Sequence, residues 1–191
     1  MLVRAAIAFL LAALVAVGSV ARAEDLTPRK QALLLLRVLV YDRNLKLRAR
    51  DAVRVAIAFR AGDRRSEAER DEFVAAFEAV AREVVAAGLP IEVAAVPYHD
   101  AADFEARLRA MAPTGLYVCA RLDQSVKEIA RISRSNAVLS AAGSKEMVEA
   151  GLAIGLVNRG LRAGVIVNLP GARGEGADLD AALLGIAEVI P

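Results

Sequence analysis

Cysteine, histidine and aromatic side chains are scarce in this chain of 191 residues. It contains one cysteine, one histidine and no tryptophan, and aromatic residues make up 4% of it. A single cysteine excludes an intramolecular disulfide, and a single histidine excludes a metal site built from several histidines. Because Cys119 stands among apolar neighbours in LYVCA, we expect a small buried side chain rather than a reactive thiol.

Motifs of catalysis are also lacking. The sequence has neither the G-x-S-x-G nucleophile motif nor the G-x-x-x-x-G-K-[ST] phosphate loop, and no pair of carboxylates stands out. The glycines of residues 151–164 do not form a dinucleotide-binding fingerprint, because no helix is predicted to follow them. A hydrolase would need a nucleophile beside a base, and none is recognisable. We therefore predict no catalytic residues, no cofactor and no bound metal.

The first 23 residues have the pattern of a secretory signal peptide. Arg4 precedes an unbroken apolar run over residues 5–17, and Ala21 and Ala23 occupy the A-x-A positions that precede a cleavage site. The run is shorter than the about 20 apolar residues that a membrane-spanning helix requires. We predict cleavage after Ala23, with an uncleaved anchor as the alternative.

The remaining chain, residues 24–191, is formally neutral. Lys and Arg number 25 in the full sequence, and loss of Arg4 and Arg22 leaves 23, which equals the 23 acidic residues. A nucleic-acid-binding protein needs a basic face to replace phosphate counterions. The balance of charge gives no indication of such a face, so we predict no nucleic-acid partner.

Strand and helix patterns alternate along residues 24–191 at close to 25-residue intervals. The predicted strands of this part cover residues 52–60, 91–96, 116–120 and 136–141. This rhythm is typical of a parallel sheet with helices on both faces, and we expect the strand order 2-1-3-4. Two further apolar runs, residues 152–157 and 164–169, flank turn residues 158–160 and predict an antiparallel β-hairpin. The fold class is therefore α/β, a single three-layer domain that ends in the hairpin and a C-terminal helix.

Caps and apolar stripes predict the helices. Thr27 before Pro28 caps the first helix, on which Leu33, Leu36 and Val40 share one face. The second helix is predicted to start with a capping box from Ser66 to Glu69 and to end at Gly88, with Phe73, Phe77, Val80 and Val84 on its buried stripe. Asp100 is predicted to cap the next helix. In the C-terminal helix, the residues predicted to face inward are Leu179, Leu183, Ile186 and Ile190.

Four polar residues follow the predicted parallel strands and form the candidate ligand-binding site. They are Arg60, His99, Arg121 and Ser140. The carboxyl ends of parallel strands meet at one edge of a sheet, where α/β proteins bind ligands. Two arginines beside helix N-termini would suit an anionic ligand. The alternative is that all four are ordinary loop residues.

Several segments in a fixed order resemble YfiR-type proteins. The segments that carry the resemblance are KQALLLLRVLVYDRNL, VRVAIAF, YVCARL, NAVLSAAG and AIGLVNRGLRAGVIVNLPGAR, and together they span roughly residues 28–190. The resemblance implies a small periplasmic protein of Gram-negative bacteria that is often dimeric and not catalytic. It also implies binding to the periplasmic portion of an inner-membrane diguanylate cyclase, which limits cyclic-di-GMP signalling and biofilm formation. YfiR itself carries disulfides, and this chain departs from that pattern.

Two functions follow as expectations. The first is a non-enzymatic periplasmic regulator that forms a homodimer and restrains an inner-membrane sensor or diguanylate cyclase. The alternative is a periplasmic module that binds a small anionic solute through Arg60 and Arg121. Solute-binding proteins usually close two lobes around the ligand, and one domain of this size lacks the second lobe.

Overall fold

Buried strands and amphipathic helices alternate in the structure, as the sequence predicts. The computed structural model describes residues 26–160 and 162–190, and the predicted signal peptide, residues 1–23, lies outside them. The helices in this part of the chain are α1 (Pro28–Val40), α2 (Leu45–Ala49), α3 (Arg64–Ala81), α4 (Ala101–Met111), α5 (Val126–Ser135), α6 (Lys145–Glu149), α7 (Leu169–Gly174) and α8 (Ala181–Leu184). The strands are β1 (Val53–Arg60), β2 (Ile91–Tyr98), β3 (Gly115–Val118), β4 (Leu139–Ala142), β5 (Ile154–Arg159), β6 (Arg162–Asn168) and β7 (Glu188–Ile190).

The strands of the described residues form one sheet in the order β2-β1-β3-β4-β5-β6-β7. Strands β1 to β5 pair in parallel, β6 runs antiparallel to β5, and β7 runs parallel to β6. The predicted order 2-1-3-4 and the antiparallel hairpin beside the fourth strand are confirmed. The fold class is an α/β domain with a mostly parallel sheet.

Each face of the sheet carries its own hydrophobic core. On one face, Leu39 of α1 and Phe77 of α3 are fully buried against the sheet. On the other face, Phe104 of α4 and Ile129 of α5 are equally buried. Strand β1 supplies side chains to both cores, as a parallel strand covered on both faces must. The three-layer arrangement follows.

Helix α1 begins as predicted, but of its predicted stripe Leu33 and Val40 face outward, whereas Leu36 is buried. The Thr27 hydroxyl accepts from the backbone N–H of Lys30 and caps the helix. Leu35 and Leu39 are buried, whereas Leu33 and Val40 are exposed. The helix is apolar around most of its circumference, so periodicity alone does not determine which side contacts the core.

The predicted capping box of α3 is wrong. Asp63 caps the helix by accepting from the N–H groups of Arg65 and Ser66, and Glu67 accepts from Gly62 N–H. Ser66 lies inside the first turn and is fully buried. The helix also ends at Ala81, before the predicted stop. Both Asp63 and Ser66 have side chains that can cap a helix N-terminus. Asp63 is the cap of α3 because it directly follows the Gly62 turn.

The C-terminal segment differs in detail from the predicted helix. A short helix, α8, is followed by β7, which pairs with β6 along Ile166 to Asn168. Leu183 faces inward as predicted, but Ile186 is 72% exposed. Strand β6 would otherwise present an unpaired edge, and β7 satisfies its backbone groups. A helical continuation would leave that edge open.

Candidate functional site

A cavity opens at the carboxyl edge of the parallel strands, near the point where the chain reverses its direction of winding. Strands β1 and β3 are neighbours, and β2 lies on the far side of β1. Helix α3 after β1 and helix α5 after β3 cover opposite faces. Such a switch point is where open α/β sheets place ligands. The cavity measures about 700 Å³ and is lined by residues of α1, α3 and β5 and of the segments after β3 and β4.

Glu69 and Tyr117 form the polar floor of this cavity. The Glu69 carboxylate accepts from the backbone N–H of Ala120 at 2.8 Å, and its Oε1 lies 3.5 Å from the Tyr117 hydroxyl oxygen. The same hydroxyl donates to Gln31 Oε1 at 3.0 Å, and the ring stacks on Phe73 with 3.8 Å between centroids. Both groups are therefore held in fixed orientation at the sheet edge.

The electrostatics of the floor follow from its burial. Partial burial raises the pKa of the Glu69 carboxyl above its ordinary value, although the Ala120 N–H and the Arg65 charge oppose this. Burial and the nearby Glu69 charge raise the pKa of the Tyr117 hydroxyl well above its usual range. Burial also raises the pKa of the Cys119 thiol, which makes the thiolate scarce at neutral pH.

Ser66 ties the ends of β1 and β3 together beneath the cavity. Its hydroxyl accepts from Arg60 N–H and donates to the Ala120 carbonyl, each at 2.9 Å. Glu69 and Tyr117 were not predicted as site residues, because Glu69 fitted a capping box and Tyr117 stood in an apolar strand. Glu69 lies in the second turn of α3 and Tyr117 lies inside β3, so a search for polar residues that directly follow strands does not find them.

The structure brings together Arg60 and Arg121, two of the four predicted site residues. Arg60 Nε donates to the Arg121 carbonyl at 2.7 Å, and Arg60 Nη2 lies 3.3 Å from Ser125 Oγ. Arg121 Nε lies 3.6 Å from Asp63 Oδ2. The N–H of Ser66 and the charge of Arg121 hold the pKa of Asp63 below its ordinary value. Both guanidinium groups are thus already engaged within the protein.

The other two predicted residues lie apart from this pair. His99 follows the edge strand β2 and is exposed. The expectation that Ser140 lies at the sheet edge is wrong. Ser140 is the second residue of β4 and is fully buried, where its hydroxyl donates to Glu175 at 2.6 Å. Strand β4 begins three residues later than predicted, which places Ser140 inside the sheet rather than beyond its end.

A second surface feature is an apolar groove on the outer side of α1. We use the name apolar groove for the surface lined by Lys30, Leu33, Leu34, Leu36, Arg37, Val40, Val84, Val85, Ala86 and Ala163. It measures about 550 Å³. Val85 is 65% exposed, and Val40 is 49% exposed. The stripe of α1 that sequence periodicity identified forms one wall of this groove.

Comparison with known proteins identifies the family. Residues 66–188, more than half of the chain, match the model of the YfiR/HmsC-like family. The chain belongs to the YfiR/HmsC-like family. Membership supports a periplasmic regulatory protein of the YfiR type, and the family is regulatory and non-enzymatic. No curated protein shows significant similarity to the chain.

Three solved structures with a similar fold are an ABC domain, a substrate-binding protein and a conserved domain protein. An ABC domain from Streptococcus pneumonia in complex with L-Trp has a TM-score of 0.60 and 14% identity, over 86% of this chain and 62% of its own. A ligand-free, open substrate-binding protein with adhesive properties from Clostridium difficile has a TM-score of 0.57 and 13% identity. The match covers 77% of this chain and 57% of the Clostridium difficile chain. A conserved domain protein from Vibrio cholerae has a TM-score of 0.58 and 14% identity. The match covers 86% of this chain and 60% of the Vibrio cholerae chain.

These similarities establish the fold alone. The chain spans about three fifths of the length of these structures. Within residues 26–160 and 162–190, no helix is both long enough and apolar enough to cross a membrane. Across the same residues, no three His, Cys, Asp or Glu side chains cluster as a metal site would require.

Proposed function

We propose that this protein restrains an inner-membrane signalling protein, specifically a diguanylate cyclase, by binding its periplasmic portion. The match of residues 66–188 to the YfiR/HmsC-like family carries this proposal. Restraint of the cyclase lowers cyclic-di-GMP and with it biofilm formation. Binding alone performs this task, so the protein requires no catalytic residue.

The apolar groove is the docking surface in this proposal. Exposed valine and leucine side chains on α1 and after α3 give a partner apolar area to bury, at roughly 25 cal/mol per Å². Apolar surface of this kind on a soluble domain commonly marks a protein interaction site. Lys30 and Arg37 border the groove, which favours a partner segment with an apolar centre and acidic flanks.

A pull-down from solubilised membranes of the native host tests the proposal. The bait proteins are wild type, Val85→Glu in the groove, and Leu47→Glu as the matched control. Leu47 is an 81% exposed leucine on α2, and it does not line the groove. We expect mass spectrometry to identify a diguanylate cyclase with wild type and Leu47→Glu, and to lose it with Val85→Glu. Failure of wild type to enrich any membrane signalling protein contradicts the proposal.

A homodimer is a further part of this proposal, and it needs its own measurement. Light scattering coupled to size exclusion gives the mass of the purified protein. We expect twice the monomer mass for wild type and for Val85→Glu, because the groove is reserved for the partner. Conversion to a monomer by Val85→Glu alone would assign the groove to the second subunit instead.

A second candidate function is binding of a small anionic solute by Arg60 and Arg121. Their proximity at the carboxyl edge of the sheet favours it, and so does the similarity in fold to substrate-binding proteins. Engagement of Arg121 by Asp63 weakens it. Thermal stabilisation by a carboxylate or phosphate ligand that Arg121→Ala abolishes would support this function, and its absence would contradict it.

A further inference from the structure

The cavity at the carboxyl edge of the sheet has the dimensions of a small-molecule site. Its volume of about 700 Å³ falls within the roughly 300–1,000 Å³ typical of ligand pockets. Gly143 packs tightly against its polar floor, because a Cβ atom there would approach Gln31 Oε1 to 2.9 Å and the Tyr117 hydroxyl to 3.2 Å. The lack of a side chain at this position lets the segment after β4 lie directly against Gln31 and Tyr117.

Acidic side chains outnumber basic ones around this cavity. The ionisable carboxyl and basic groups that line it are Glu69, Glu72, Asp123, Glu146, Arg65 and Lys145. Lys145 Nζ lies 3.0 Å from Glu188 and 3.8 Å from Glu149, two carboxylates that do not line the cavity. Glu188 also pairs with Arg159, so these outside charges form an ion-pair cluster of their own. Four lining carboxyl groups face two lining basic groups, a formal excess of two negative charges.

We propose that this cavity binds a small organic cation that carries one or more ammonium groups. Glu69 is the orienting acceptor, because Ala120 N–H holds one of its oxygens at 2.8 Å and leaves the other free to accept from a ligand. Glu72 lies one helical turn further along α3 and also lines the cavity. An ammonium group beside these carboxylates gains charge-assisted hydrogen bonds and compensates the partial burial of Glu69.

This charge distribution favours a cation in the cavity, at a place separate from the predicted anion-binding pair. The predicted anion-binding pair, Arg60 and Arg121, does not line the cavity. A carboxylate or phosphate placed there would meet the Glu69 carboxylate at close range, which costs free energy in a partly desolvated site. The ligand class is therefore set by the carboxylates of α3 and of the segments after β3 and β4.

Titration calorimetry of the purified protein with three small flexible probes tests this inference. Spermidine is the cation, triethylene glycol is the neutral probe of similar length, and tricarballylate is the trianion. We expect saturable binding of spermidine and none of the other two. Absence of saturable spermidine binding to wild type overturns the inference, and so does binding of tricarballylate with equal affinity.

Matched variants of α3 test whether the ligand binds in the cavity. Glu72→Gln removes a lining carboxylate at an exposed position, and we expect it to raise the Kd for spermidine about threefold. Glu78→Gln removes the same charge from an exposed position on the same helix that does not line the cavity, and we expect no change. Glu69→Gln should raise the Kd about tenfold. Equal weakening by Glu72→Gln and Glu78→Gln would show non-specific attraction and overturn the inference.

The assay uses no partner protein. Loss of cyclase binding by the groove variant therefore leaves the calorimetry unaffected. Conversely, failure of spermidine to bind leaves the regulatory proposal in place. The two proposals are tested separately.

Discussion

The hydroxyl of Ser140 donates to the carboxyl group of Glu175 at 2.6 Å, inside the protein and across 35 residues of sequence. Glu175 also accepts from the Ser140 N–H at 2.8 Å, and the Ser140 hydroxyl accepts from Ala153 N–H at 3.0 Å. Strand β4, the start of β5 and the end of α7 are joined through this cluster. Burial raises the pKa of Glu175 to about 8, although the Ser140 hydrogen bonds and the charges of two arginines oppose the shift.

Replacement of Glu175 by Gln should change how stability depends on pH. An ordinary glutamate titrates near 4.5, so the native state retains a proton between about pH 4.5 and 8 that the unfolded chain has lost. Stability of the wild type therefore falls as pH rises through this window, by at most ~1.4 kcal/mol per pH unit. Glu175→Gln mimics the protonated form and lacks this loss. We expect it to match wild type near pH 5 and to exceed it at pH 8.5.

Urea denaturation at a series of pH values measures this difference. Glu78→Gln, an exposed glutamate on α3, is the control and should follow the wild-type profile. Parallel pH profiles for wild type and Glu175→Gln would mean that Glu175 is already ionised in the native protein at neutral pH.

Ser66→Ala should destabilise the protein by about 1–3 kcal/mol. The substitution leaves the Arg60 N–H and the Ala120 carbonyl without their hydroxyl partner in a buried position, and an unpaired buried group costs this much. Chemical denaturation at neutral pH checks the value. Ser135→Ala removes an exposed hydroxyl that donates to the Arg131 carbonyl and should change stability by less than about 0.5 kcal/mol. Equal effects of the two variants would contradict the role of Ser66 as a link between strands.

Gly155→Val should destabilise the protein by about 1–3 kcal/mol through overpacking. A Cβ at this position would lie 3.0 Å from Val148 Cγ2 and 3.1 Å from Ile166 Cβ. Helix α6 and strand β6 therefore pack closely against β5 at this position. Thermal denaturation measures the loss, with Ala94→Val at an exposed position of β2 as the control. Full stability combined with loss of ligand binding would contradict this packing role.

The order of the parallel strands was predictable because it depends on periodic features. Apolar runs separated by capped helices occur at regular intervals, and right-handed crossovers limit how they connect. The hairpin was predictable for a similar reason, since turn residues lie between two apolar runs. Gly160 adopts a φ of +63° in that turn, which few other residues tolerate.

The cavity and the direction of individual side chains were not predictable in this way. Ser66, Glu69 and Ser140 are polar residues whose local patterns fit more than one role. Their function is decided by long-range partners such as Ala120 and Glu175, which sequence spacing does not reveal. Similarly, Ile186 fitted a helical stripe, but pairing of the last residues with β6 outweighed that local preference.

Cellular cyclic-di-GMP in a deletion strain of the native host tests the regulatory account most directly. The strain is complemented with wild type, with Val85→Glu in the apolar groove, or with the exposed control Leu47→Glu. We predict that deletion raises cyclic-di-GMP, that wild type and Leu47→Glu return it to the parental level, and that Val85→Glu, present in equal amount, leaves it high. An unchanged level after deletion, or full restoration by Val85→Glu, would contradict the account.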